Sequence, residues 1–391
     1  MSGVLRGIRV VEQGTFITGP CAGMMLADLG ADVIKVESPD GDPYRSYQGE
    51  HYSPHFQAYN RNKRSIALDL KNPSEQRLFD GLLREADVFI QNFRPGTATR
   101  LGAGHERLCA LNPRLIYASI SGFGSDGPYA ERPSYDSVAQ ALSGFLSVVV
   151  DSSRPRFLGP ALADAITGIY AAYGVLGALV QRGRTGEGCL VEVSMLEAMA
   201  HFAVEPFAAY FALGNTPTSS DRPRLAQAYI LRTADARLIA IHLSSLDKFW
   251  DGLIAALAAP ELGYDERFSR RTARIDNYEA LNTALDERFR KHALSHWVEQ
   301  LNRHDVPFAP INTIDEVIGD PQVAHLELIV PVESPRGGAH AVRPPVQFAG
   351  ARQGSVRAAP ALNEHGDAIR HALARGEQWP GWPPEEGRAE G

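Results

Sequence analysis

Short apolar runs, each bounded by turn residues, recur along the first third of the chain. Residues 8–12 (IRVVE) predict a buried strand, and a turn through Gly14, Gly19 and Pro20 follows. Residues 21–29 (CAGMMLADL) predict a helix closed by Gly30, and residues 32–36 (DVIKV) predict a second strand. Strand, helix, strand is the βαβ unit of a parallel sheet covered by helices. A helix over 74–85 and strands over 87–91 (DVFIQ) and 115–121 (LIYASIS) continue the pattern, which is Rossmann-like. The first βα turn reads Gly14-Thr15-Phe16-Ile17-Thr18-Gly19-Pro20. It lacks the G-x-G-x-x-G spacing that lets backbone approach a pyrophosphate, which argues against a dinucleotide-dependent dehydrogenase.

A long helix is predicted over 161–182, ending before the turn Gly183-Arg184-Thr185-Gly186-Glu187-Gly188. Gly168, Gly174 and Gly177 on it leave room for another backbone to approach. Residues 190–194 (LVEVS) predict a further strand, and the polar stretch 214–224 (GNTPTSSDRPR) reads as a linker. Strands at 229–233 and 237–242 follow, with helices near 246–258, 278–291, 294–304 and 313–319. The expected architecture is α/β: a large Rossmann-like domain over 1–220, a smaller α+β domain over 221–324, and a C-terminal return over 325–391. The tail beyond Trp379 is rich in Pro, Gly and Glu and is expected to be loosely ordered.

At 391 residues the chain exceeds the usual single domain, which agrees with that division. A formal net charge of −7 gives no global pull toward nucleic acid or an anionic membrane, so neither is an expected partner. An anionic substrate then needs a local basic patch. Cys21, Cys109 and Cys189 show no metal-type spacing, and no metal is expected. The N-terminus lacks a charged-then-apolar leader and Ile166 to Val180 falls short of a bilayer span, so the expected location is the cytoplasm.

Chemistry concentrates in Gly159-Pro160-Ala161-Leu162-Ala163-Asp164-Ala165-Ile166-Thr167-Gly168, which puts Asp164 in the first turn of the long helix. An acid there can cap the helix or answer its dipole. A carboxylate can also attack an activated acyl group. Arg61, Lys63 and Arg64, with Lys71 behind, make a basic cluster that reads either as a solvated face or as a phosphate patch.

Several blocks in order resemble the class III CoA-transferases, the family of formyl-CoA transferase, carnitine CoA-transferase and α-methylacyl-CoA racemase. They are GIRVVEQGTFITGP (7–20), LADLGADVIKVE (26–37), NRNKRSIALDLK (60–71), IQNFRPG (90–96), YDSVAQALSG (135–144), LADAITGIYAAYGVLGALVQRGRTGEG (162–188) and VEVSMLEA (191–198). The resemblance implies a CoA-transferase that moves CoA from an acyl-CoA donor, such as succinyl-CoA, to a carboxylic acid. By the same resemblance Asp164 is the nucleophile, passing through an aspartyl anhydride and an aspartyl-CoA thioester. Coenzyme A enters as substrate, and no prosthetic group is implied. Leu68 and Lys71 match the adenine site. Asn92, Phe93, Arg94, Thr97 and Arg100 match the loop that holds the nucleotide and phosphates, and Met195 matches another CoA contact. Thr15, Phe16, Ile17 and Thr18 match the segment beside the pantetheine. The resemblance also implies an interlocked homodimer.

Formyl-CoA transferase carries Gln where this chain has Ile17, a basic residue near Ser38 that is absent here, and a Gly-rich flap without counterpart at 214–224. These departures argue against formyl-CoA and oxalate as the substrate pair. The racemase branch places a His before its Asp where this chain has Tyr135 and Asp136. A phenol with a reference pKa near ~10 is a poor base at neutral pH. A racemase-type isomerase is the first rival reading, and a non-catalytic acyl-CoA-binding subunit is the second. Arg222 and Arg224, on a loop that could reach the site, read either as plain solubilising charges or as contacts to a small dicarboxylate acceptor such as succinate.

Overall fold

The computed structural model describes residues 3–48, 51–157, 159–244, 246–333, 339–349, 351–352, 356–377 and 379. The tail beyond Trp379 lies outside them. The chain divides into two compact units, one of residues 1–146, 157–204 and 327–391, the other of 147–156 and 205–326. The division at 204/205 falls short of the linker read at 214–224. Within that stretch only the first part is loop, because Asp221–Ala226 is helical.

In the first unit six strands form one parallel sheet: β1 (Arg9–Gln13), β2 (Asp32–Glu37), β3 (Lys63–Ala67), β4 (Val88–Gln91), β5 (Ile116–Ser121) and β6 (Leu190–Ser194). Their spatial order is β3-β2-β1-β4-β5-β6, the doubly wound arrangement. Alternation along β1 assigns the faces. Val11 joins Ile34, Phe79, Leu82 and Phe89 under α2 (Pro73–Glu85), while Val10 joins Leu26, Val33, Val88 and Val175 on the opposite side. That opposite side is covered by α1 (Thr18–Asp28), together with a second helix described below.

β3 is absent from the sequence reading because its residues, KRSIA, look like a solvated charged segment. The structure overturns both readings for Arg61, Lys63 and Arg64, while Lys71 is exposed at a cavity. Lys63 and Arg64 are buried, Lys63 against Glu12 and Arg64 against Asp32, while Arg61 makes paired bonds to Asp28.

Past β5, the helix α3 (Asp136–Leu142) precedes α4 (Leu162–Thr185), the second helix on that face. α4 runs through the turn expected at 183 and ends where Gly186 takes φ 80°, a conformation L side chains resist. Its length and apolar composition alone would let it cross a bilayer, contrary to the shorter span read from sequence. Here Ile166, Ala171, Ala172 and Val175 are buried in the unit's core, and Arg182 near its end pairs with Asp87 at 2.7 Å. Ile169, on the same helix, is 48% exposed. Gly168 marks a close crossing with α1: a Cβ there would lie 2.6 Å from Cys21 Cβ and 2.9 Å from Thr18 O. Gly174 likewise meets Val191, whereas Gly177 meets nothing within 4 Å.

The C-terminal return packs α5 (Gly366–Ala374) beside β3 and pairs Val356–Arg357 in parallel with Ile329–Glu333. Asn363 Oδ1 accepts from Ala67 N at 2.9 Å, and Arg45 donates to Pro360 O at 3.0 Å. The second unit is a three-stranded antiparallel sheet of Ala228–Arg232, Leu238–His242 and Phe308–Pro310. Leu231, Ile239, Trp250, Leu285 and Trp297 form its core with helices Leu246–Leu257, Tyr278–Phe289 and Leu294–Arg303.

Candidate active site

Strand order reverses between β1 and β4, and the loops leaving their carboxyl ends border a crevice at that switch point. Asn92, one residue beyond β4, ties the two loops together. Its Oδ1 accepts from Thr15 N at 2.9 Å, and its Nδ2 donates to Thr15 O and Thr18 Oγ1, both at 2.8 Å. One side-chain amide thus satisfies both backbone groups of Thr15.

A buried ion network supports the loop from below. Glu12 Oε1 accepts from Gly14 N at 2.7 Å, and Lys35 donates to Gly14 O at 2.7 Å. Lys63 donates to Glu12 Oε2, Pro20 O and Asn60 Oδ1, each at 2.8 Å. Lys35 also faces Asp42 at 3.1 Å, and Asp42 Oδ1 accepts from Phe16 N at 3.1 Å. Burial works to raise the Glu12 carboxyl, and the two ammonium groups outweigh it and hold it below its usual range. These anchors keep Phe16 at φ 58°, a strained conformation for a bulky residue, with its ring against Tyr44 and edge-on to Tyr135.

Above this floor lies a cavity of about 780 Å³. The turn 15–18, residues 92–94, Thr97, Tyr135, Asp164 and Met195 all line it, so most of the residues read from sequence converge. A second cavity of about 600 Å³ is lined by Leu68 and Lys71, and Thr15 and Phe93 line both. Arg100 lines neither, and donates to Thr97 Oγ1 at 2.7 Å. In the second unit Arg222 pairs with Glu205 at 3.4 Å.

Asp164 is half-buried in the first turn of α4. It does not cap that helix. The cap comes from Asp136 on α3, whose Oδ1 accepts from Ala163 N at 2.7 Å and Asp164 N at 3.3 Å. Burial first, and the Asp136 charge second, push the Asp164 carboxyl up from 3.8 to about 7. Such a group passes between anion and acid near neutrality and has open space before it, which suits a nucleophile or a proton carrier. Among the residues lining the cavity there is no histidine. His201 is bound to Tyr170, and His242 to Ser244.

Tyr44, Tyr47, Arg132 and Asp136 also line the cavity and escaped the sequence reading. Asp136 stood in the quoted block YDSVAQALSG, but nothing local tied it to Asp164, 28 positions away. Arg132 stacks over Tyr129 at 4.5 Å.

The chain matches the family described as CoA-transferase family III over residues 5–366. It belongs to that family. The acetyl-CoA:oxalate CoA-transferase of Acetobacter aceti is 34% identical over 96% of this chain and 97% of its own. The succinate–glutarate CoA-transferase of Agrobacterium fabrum is 35% identical over 92% and 93%. The crystal structure of a CAIB/BAIF family protein from Brucella suis superposes with a TM-score of 0.86 at 36% identity, covering 95% of this chain and 100% of that one. This family III enzyme is therefore a CoA-transferase, with acyl-CoA as substrate.

Proposed function

We propose that this CoA-transferase passes CoA from a succinyl-CoA-like donor to a small dicarboxylic acid through covalent intermediates on Asp164. The observation that carries the reading is the placement of Asp164: a half-buried carboxyl, raised to about 7, opening on the switch-point cavity. An Asp164 oxygen attacks the donor thioester carbon, the C–S bond breaks, and an aspartyl anhydride forms as CoA thiolate leaves. The thiolate attacks the aspartyl carbonyl, giving an aspartyl-CoA thioester and releasing the donor acid. The acceptor carboxylate attacks that thioester, and thiolate leaves again. Thiolate then attacks the acceptor acyl carbon, and the Asp164 carboxylate is regenerated. Every step exchanges one activated carbonyl for another, so the thioester energy is retained. The paired cavities suit a long ligand: the second, with Leu68 and Lys71, takes the adenine, and Arg94 meets phosphate. A dicarboxylate acceptor is supported by relatives that carry succinate and glutarate in their names and by the further cation Arg132 at the cavity.

The test incubates the protein with succinyl-CoA and a panel of acids, following new CoA esters by mass. Asp164→Ala abolishes transfer. Succinyl-CoA followed by hydroxylamine converts Asp164 to its hydroxamate, read on the peptide containing Ala163-Asp164-Ala165. A clean peptide in a preparation that turns over, with solvent deuterium entering the α-carbon of the acyl group, gives the site to isomerase chemistry. The working form is a homodimer. Its support is the helix Val204–Leu213, none of whose residues is buried in the chain and which exposes Phe211 and Leu213. A monomer mass by light scattering at assay concentration removes this part.

A further inference from the structure

α4 begins without a cap of its own. Its N-cap residue, Ala161, supplies no side-chain oxygen, so the first-turn N–H groups depend on Asp136 from another helix. Asp136 is itself steadied by Gln140, a buried residue one turn along α3, whose Nε2 donates to Asp136 Oδ2 at 2.7 Å. The result is a chain of bonds, Gln140 to Asp136 to the backbone of Ala163 and Asp164, that places two carboxyl groups beside one cavity. A neutral acceptor such as Ser or Asn would cap as well as Asp. A carboxylate is therefore more than the cap requires.

We propose that Asp136 is a positioning residue for CoA transfer, its one carboxylate fixing the turn that carries Asp164 and disfavouring the Asp164 anion relative to the uncharged acyl states of the cycle. The inference rests on the reading of Asp164 as nucleophile. When an Asp164 oxygen forms its bond to the thioester carbon and the C–S bond breaks, the negative charge leaves with the thiolate. Repulsion from Asp136 is relieved in that step and returns only when the free carboxylate is regenerated. The same repulsion makes the Asp164 anion more basic, hence a better nucleophile once ionised.

Other groups facing Asp164 do not confuse a pH measurement. Cys21 of α1 is pushed up to about 11 and Tyr44 to about 12, each chiefly by burial, and burial also raises Tyr59 of the helix Pro54–Asn60. Arg94 and Arg132 line the same cavity. An acid limb near neutrality therefore belongs to Asp164.

Asp136→Asn tests the idea, since Asn keeps the capping oxygen and removes the charge. The acid limb of kcat/KM for succinyl-CoA is expected to move down by about one pH unit from its wild-type place. The fraction of Asp164 trapped by hydroxylamine at mildly alkaline pH is expected to fall about tenfold, the equivalent of that one unit. Asp136→Ala shows the same two changes and also melts earlier, having lost the cap. An acid limb and a trapped fraction both unmoved in a folded Asp136→Asn overturn the proposal. Should Asp136→Asn not fold, carbon-13 spectra of aspartate-labelled wild type decide. The Asp136 carboxyl signal is expected to shift as Asp164 titrates and to lose that shift in Asp164→Asn; a signal indifferent to that substitution overturns it equally. Wild-type turnover by Asp164→Ala removes the nucleophile and this inference together. An inactive Asp164→Ala beside an unmoved Asp136→Asn limb removes this inference alone.

Discussion

Replacing Lys63 by Met separates a structural cation from a ligand-binding one. The Met stem fills much of the same volume, so the loss is confined to the ammonium group and its three hydrogen bonds. Glu12 Oε2, Asn60 Oδ1 and Pro20 O then lack that donor, and Glu12 has no exposure to water. Breaking a buried ion pair by deleting one partner costs about 3–5 kcal/mol. Glu12 keeps Lys35 and the Gly14 N–H, which puts the expected loss at the lower end, about 3 kcal/mol. At roughly 2–4 °C per kcal/mol, Lys63→Met should melt about 6–12 °C below wild type. Adding Glu12→Gln removes the stranded charge, so the double variant should regain at least half of the loss. The assay is a thermal melt paired with steady-state kinetics below the melting range, where KM for succinyl-CoA should stay within about twofold. A melting point within a degree of wild type, combined with a KM raised tenfold, would refute the buried-pair reasoning and return Lys63 to the role of phosphate ligand.

Arg94→Ala should raise KM for succinyl-CoA about tenfold with little change in that for the free acid, while Arg100→Ala should change either by less than about twofold, because only Arg94 lines the cavity; equal effects of the two would sink the assignment. Gly168→Ala places a methyl 2.6 Å from Cys21 Cβ and 2.9 Å from Thr18 O, and the overpacking should cost about 1–3 kcal/mol by denaturant melts; an unchanged midpoint would refute the close crossing. Asp164→Asn should be more stable than wild type above pH 7. A carboxyl raised from 3.8 to about 7 on folding binds more protons folded than unfolded, so stability is lost as pH climbs through that window. The full shift corresponds to about 4 kcal/mol, which partial exposure reduces to roughly 2 kcal/mol, and melts at pH 5 and pH 8 read the difference.

The sheet was legible wherever strands are apolar. IRVVE, DVIKV and DVFIQ each fall within a residue of an observed strand or on it, because parallel strands buried on both faces need continuous apolar runs. β3 broke that rule: Lys63 and Arg64 are polar in sequence and buried in fact, and their partners Glu12 and Asp32 stand far upstream. Helix ends were legible where local chemistry sets them and misread at Gly183, because a glycine in mid-pattern does not stop a helix that tertiary packing holds. Asp164, the proposed nucleophile, was singled out through its block, and the structure places it on the cavity. Its partner Asp136, and the tyrosines at 44 and 47, are neighbours only after the switch-point loops close, and no local pattern encodes that.

The C-terminal return has a consequence during synthesis. Arg45 meets Pro360 and Arg370 meets Ala67, pairs 315 and 303 residues apart in the chain. β3 is therefore made early, yet the segment that covers it leaves the ribosome some three hundred residues later. At roughly 5–20 residues per second that interval is about 15–60 s. Throughout it, a nascent chain carries an open sheet edge, the kind of surface that pairs with other chains and that holdase chaperones protect. Losing the last thirty residues before Trp379 would leave that edge permanently uncovered, and a chain shortened in this way should accumulate as aggregate even though every residue of its cavity has been made.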